Sequence, residues 1–122
     1  MQQHSYTIAG RPIEVIGDDR KPVARKALVA DILALAAALS RISPRTILRQ
    51  NRFRHVVLVR FAIYFVAREQ GYSYEQIGRK LDRDNSTVSH GCRQVAKYTD
   101  SDREFAWFVD ALRRNVAKAL AA

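Results

Sequence analysis

The stretch Ser73-Tyr74-Glu75-Gln76-Ile77-Gly78-Arg79-Lys80-Leu81-Asp82-Arg83-Asp84-Asn85-Ser86-Thr87-Val88-Ser89-His90 contains two helix starts separated by a tight turn. Ser73 with Gln76 three residues on is a capping-box pattern, and Ile77 and Leu81 stand four apart on one side, which predicts a short helix over 73–81. Asp84 is the expected N-cap of a second helix from Asn85 to about Tyr98. At about 100° per residue, Val88, Cys92 and Val95 of that helix fall within about 60° of one another and face a core. Ser86, Ser89, His90, Arg93 and Lys97 fall opposite. Two helices so joined have the form of a helix-turn-helix, whose second member enters the DNA major groove.

Outward from this stretch, the chain reads as helices joined by short turns. Leu28, Ile32, Leu35 and Leu39 recur at helical spacing within an alanine-rich segment, predicting a helix from Pro22 to about Ser40. Ser43-Pro44 are an N-cap and a first helical residue for one or two turns near Arg45 to Arg49. Phe53 to Glu69 is apolar nearly all round and too long for an ordinary strand, so it is expected to form a central buried helix ended by Gly71, against the grain of its β-branched run. Ser101-Asp102-Arg103-Glu104 is a second capping box, opening a helix to about Leu120 with Phe105, Val109, Leu112, Val116 and Leu120 on one stripe. Tyr6-Thr7-Ile8 and Ile13-Glu14-Val15-Ile16 are two short extended pieces suited to a small hairpin. The expected architecture is an all-α helical bundle over 22–122 preceded by an arm or hairpin at 1–21, with residues 17–22 as linker.

Charge narrows the partner. The 122 residues carry 21 Lys plus Arg against 12 Asp plus Glu, a formal +9, which points to a polyanion. The excess is local: Arg41, Arg45, Arg49, Arg52, Arg54, Arg60 and Arg68 lie in 41–68 with no acid among them. Arginine exceeds lysine sixteen to five, and its planar fork binds phosphate or a guanine edge bidentately. A solvated basic face is the plainer alternative.

The runs Arg60-Phe61-Ala62-Ile63-Tyr64-Phe65-Val66-Ala67-Arg68-Glu69, Ser73 to Gly78 and Arg83-Asp84-Asn85-Ser86-Thr87-Val88-Ser89-His90 together resemble the C-terminal DNA-binding domain of the bacterial replication initiator DnaA. In that family an Arg-Asp-His-Ser/Thr-Thr-Val-x-His string opens the recognition helix, and the fold is a bundle related to the Trp repressor. The resemblance covers about 80 residues. It implies that Arg52, with Arg54 beside it, enters the minor groove from a basic loop, that Arg60 reaches bases in the adjacent groove, and that Arg68 touches backbone. Asp84, Ser86, Thr87 and His90 match the recognition string, with Ser86 and Thr87 toward phosphate or a thymine methyl and Asp84 capping the helix and orienting its neighbours. Arg83, Asn85, Ser89, Arg93 and Lys97 complete the expected DNA-binding set. The chain departs from the family at Asn85, where histidine is usual, at Phe61, where glutamine often reads bases, and in a turn before Arg83 one residue shorter and without the glycine pair. The resemblance thus implies the binding mode rather than the family's own recognition sequence, with Asn85 suited to the N6/N7 edge of adenine.

Other chemistry is disfavoured. The glycines at 10, 17, 71, 78 and 91 form no phosphate loop, so no nucleotide cofactor and no ATP-driven activity are expected. His4, His55, His90 and Cys92 have no metal-ligand spacing, no cofactor is implied, and no catalytic arrangement stands out. One cysteine and no membrane-length apolar run place the protein in the cytoplasm, associated with the nucleoid. The expected function is sequence-specific recognition of double-stranded DNA by a transcription regulator or replication modulator. Alternatives are a protein-interaction module that sequesters a partner with only non-specific DNA affinity, and single-strand binding, for which stacking aromatics are lacking beyond Tyr64 or Tyr74. Residues 1–21 either pair with a second copy in a homodimer or fray, and Trp107, off its helix's stripe, either packs on the first helix or marks a subunit or partner surface.

Overall fold

A computed structural model describes residues 26–122 and the backbone of 6–8 and 11–13. The order is β1 (Tyr6–Ile8), β2 (Arg11–Ile13), α1 (Val29–Ser40), α2 (Pro44–Leu48), α3 (Arg54–Glu69), α4 (Tyr74–Leu81), α5 (Asn85–Ser101) and α6 (Arg103–Ala121). β1 and β2 pair antiparallel in the register Tyr6 with Ile13, Thr7 with Pro12 and Ile8 with Arg11. The second extended piece therefore begins at Arg11 rather than Ile13, and the expectation for 14–16, like the linker, lies outside the described residues.

From Val29 onward the fold is an all-α bundle around α3, which touches α1, α2, α4, α5 and α6. That placement explains why a segment rich in valine is helical. Val56, Leu58, Val59, Ala62, Ile63, Tyr64, Val66 and Ala67 are all buried, on more than one side of the cylinder. Fully burying a Val or Ile side chain gains about 1.5–3 kcal/mol, against a helix-propensity cost of at most about 0.7 kcal/mol per residue. Neighbours complete the core with Ile32 from α1, Ile77 and Leu81 from α4, Val88 and Val95 from α5, and Phe105, Val109, Leu112 and Val116 from α6. Leu120, the last residue of the expected α6 stripe, is partly buried. Among the described residues no helix is long and apolar enough to cross a membrane.

Two helix starts differ from expectation. α1 begins at Val29, since residues 26–28 are not helical and Leu28 is an extended N-cap. The cause is tertiary: the Ala27 N–H donates to Gln70 Oε1 (3.0 Å) and the Tyr72 hydroxyl donates to the Ala27 carbonyl (2.9 Å), fixing this backbone to the end of α3. Leu28 is exposed in consequence, and the inward stripe of α1 is Val29, Ile32 and Ala36 with Ala37. At the other end of the chain, Ser101 does not cap α6. It is the last residue of α5, and its hydroxyl donates to the Lys97 carbonyl, while Asp102 accepts the Phe105 N–H at 3.0 Å.

Candidate nucleic-acid interface

The helix-turn-helix forms as its local chemistry dictates. Ser73 Oγ accepts the Gln76 N–H (3.0 Å) and Gln76 Oε1 accepts the Ser73 N–H (2.8 Å), closing the capping box of α4. α4 ends at Leu81, and its C-cap Asp82 takes the left-handed conformation (φ 57°). The Arg83 N–H then returns to the Gly78 carbonyl at 2.8 Å. Gly78 is required at this point, because a Cβ there would stand 2.2 Å from the Arg83 carbonyl oxygen. The turn is tight because two backbones meet where no side chain intervenes.

α5 then leaves with Val88 and Val95 inward and Asn85, Ser86, Thr87, His90, Arg93 and Lys97 exposed. Ser89 is half-buried and its Oγ accepts from Arg93 Nη1 (3.0 Å), holding the guanidinium along the outer face. Asp84 occupies the N-cap position, but its carboxylate takes the Thr87 hydroxyl (Oγ1 to Oδ1 3.3 Å) and makes no cap to a backbone N–H. The expected side-chain cap is therefore corrected, while the bond to Thr87 is of the orienting kind expected of Asp84. Phe61 is turned toward α5, edge-on to His90 (centroids 6.0 Å) and stacked on Tyr98 (6.4 Å). Gly91 permits this approach, since a Cβ there would meet the Tyr64 and Phe61 rings at 2.6 and 2.7 Å. A glycine at 91 and an aromatic ring at 61 thus share one volume, a pairing that spacing alone did not reveal.

The basic loop between α2 and α3 supplies a second ridge. Ser43 caps α2, accepting the Thr46 N–H at 3.1 Å, and Pro44 is its first residue. Arg52 is exposed, and so are Arg45 on α2 and Arg49 at its end. Arg54 is held by Asp102 (3.6 Å) and lies over the Tyr98 ring (5.2 Å). Arg68 is exposed, donates to the Tyr72 carbonyl (3.0 Å) and lies over Tyr74.

Arg60 and Arg83 are placed differently from the rest. Arg60 Nε and Nη1 donate to the carbonyls of Ile47 (2.6 Å) and Asn51 (3.0 Å), and Nη2 donates to that of Arg49. Arg83 Nη2 donates to the carbonyls of Leu48 (2.8 Å) and Arg49 (3.1 Å), and Nη1 to those of Leu81 and Asp82. Both guanidinium groups are turned inward onto backbone. Burial, together with the nearby Arg83 charge, lowers the pKa of Arg60, and burial raises that of the Tyr64 phenol beside them.

The remaining candidates separate from this face. Cys92 is half-buried and burial pushes its thiol up to about 11. Trp107 is 59% exposed and lines an open groove with Arg54, His55, Leu58, Phe105 and Phe108, so it does not pack into the first helix. Among the described residues no three His, Cys, Asp or Glu side chains gather as a metal site.

Comparison with known proteins agrees with the geometry. Residues 29–95 match the family model described as the bacterial DnaA protein helix-turn-helix. The chain is 36% identical over 70 residues to the chromosomal replication initiator protein DnaA of Flavobacterium psychrophilum, covering 56% of this chain and 15% of that protein. It is 30% identical over 105 residues to the DnaA proteins of Chloroflexus aurantiacus and Chloroflexus aggregans, covering 84% of this chain and 21% of each of those. The chain thus spans about a fifth or less of the length of these curated relatives.

Proposed function

The chain belongs to the family of bacterial DnaA helix-turn-helix domains, and from that premise we propose that it reads double-stranded DNA sequence-specifically, as a transcription regulator or replication modulator. The observation that carries this reading is the exposed face of α5. Hydroxyl, amide and imidazole groups (Asn85, Ser86, Thr87, His90) stand at its start and cations (Arg93, Lys97) follow, with the exposed Arg52 on a separate loop. Short polar groups at a helix start suit base edges and nearby phosphates in a major groove, and an arginine carried on a loop suits the minor groove. Asn85 favours adenine at its base pair, through N6 and N7.

Titration with duplexes selected from a random pool, beside mixed-sequence duplexes, tests the proposal. Specific binding is expected to exceed non-specific binding by 10³-fold or more, within the usual range for specific readers. Arg52→Ala and Ser86→Ala should weaken the selected duplex more than the mixed one, while Arg68→Ala should lower both equally. Equal losses on both duplexes from Arg52→Ala would overturn the assigned roles. Sequence-blind, weak association throughout would instead favour a protein-interaction module.

A further inference from the structure

We infer that Arg60 and Arg83 form a positioning bracket that locks the Arg52-bearing loop to the helix-turn-helix, so that a residue in the α4–α5 turn governs readout at the other end of the DNA site. The inference rests on the duplex-reading proposal above and assigns these two arginines a task other than contact with DNA.

The geometry is specific. Arg60 on α3 and Arg83 in the turn lie 23 positions apart in sequence, yet both guanidinium groups donate to the Arg49 carbonyl. Between them they also take the carbonyls of Ile47, Leu48 and Asn51. The carbonyls of Ile47 and Leu48 belong to the end of α2, where helix-terminal acceptors lack intrahelical partners, while that of Arg49 also accepts the Asn51 N–H. Arg83 spends its other terminal nitrogen on Leu81 and Asp82, so one planar group ties the turn to the loop. Among the described residues neither arginine lies within ion-pair distance of a carboxylate. Two like charges sharing one acceptor repel, and the converging carbonyl oxygens offset that repulsion. A lysine retains the charge but cannot span these acceptors, since its ammonium is a compact point charge rather than a planar fork.

A major-groove helix and a minor-groove loop read neighbouring base pairs coherently only when their separation is fixed. In this protein the loop contains no regular secondary structure from Arg49 to Phe53, and the bracket ties its start to the turn that leads into α5. Its internal hydrogen bonds include those from the Arg49 N–H to the Arg45 and Thr46 carbonyls and from the Asn51 N–H to the Arg49 carbonyl. Those two amides report directly on whether the loop is held.

The test uses the full chain with Arg83→Lys and Arg60→Lys, each alone and combined with Arg52→Ala. In the free protein, hydrogen exchange at the Arg49 and Asn51 amides is expected to quicken about tenfold or more in either lysine variant, with core amides of α3 and α6 unchanged. In selection from random duplexes, each lysine variant should lose preference at the same base pairs as Arg52→Ala and keep it at those facing α5. The combined variants should lose no more than Arg52→Ala alone. Unchanged exchange at the two amides overturns the bracket, as does a loss spread evenly over the site or adding to that of Arg52→Ala. Should one lysine variant fail to fold, the other and its amide readout decide. If the wild-type chain binds no duplex, the duplex-reading proposal fails, while the exchange measurement still decides the bracket itself.

Discussion

Glycine at position 78 serves no flexible role; it is a space without which the turn cannot close. Gly78→Ala forces a Cβ to 2.2 Å from the Arg83 carbonyl oxygen, and relief requires moving Arg83, whose N–H makes the turn's return hydrogen bond. A loss of about 1–3 kcal/mol is expected, read as a lowered urea midpoint with an unchanged slope. Cys92 illustrates the opposite kind of residue, one whose chemistry the fold suppresses. With its thiol pushed up to about 11 by burial, it should react with an alkylating reagent at pH 8 far more slowly in the native chain than in urea, because only the thiolate is nucleophilic. Equal rates in the two states would contradict its half-buried placement. Ser86 and His90 are legible as outward residues from helical winding alone. The part played by Phe61 was not, since its fit against Gly91 depends on how closely α3 approaches α5.

Helices whose boundary signals are local came out at the expected places. Ser43 with Pro44, and Ser73 with Gln76, are caps complete within four residues, and each opens its helix where the pattern says. α6 differs because two adjacent residues, Ser101 and Asp102, are both competent caps. The selection between them follows from α5 continuing to Ser101, which leaves the serine helical and its hydroxyl turned back to Lys97. Asp102→Ala should therefore cost about 1 kcal/mol in thermal or urea unfolding. Ser101→Ala should stay within about 0.5 kcal/mol. The reverse order would return the cap to Ser101. α1 starts later than its pattern predicts for a related reason: Lys26, Ala27 and Leu28 all favour helix, but the Ala27 N–H and carbonyl are claimed by Gln70 and Tyr72 at the far end of α3.

At the scale of the whole molecule, the cations of the described residues differ in what occupies them. Arg54, Arg79, Arg113 and Arg114 are paired with acids, and Arg60 and Arg83 are occupied by carbonyls, whereas Arg45, Arg49, Arg52, Arg93 and Lys97 are exposed around α2, the basic loop and α5. Together with Arg68 they are six cations, and neutralising about six phosphates makes log affinity fall against log salt with a slope of about −5. Binding isotherms between about 50 and 200 mM salt measure it. A slope near −2 would mean that most of these side chains do not reach the backbone of the duplex.

The residue order alone carried the helical class, the turn between α4 and α5, the outward face of α5 and the basic character of the loop. Each of these depends on neighbours within one or two helical turns, where hydrogen bonding and hydrophobic periodicity act through the chain itself. What required the assembled bundle was the direction in which the arginines point. Seven of them in 41–68 look alike as a list, yet Arg60 turns inward while Arg52 stays exposed. The Leu48 and Arg49 carbonyls that attract Arg83 lie 35 and 34 positions away from it, so packing alone brings donor and acceptors together.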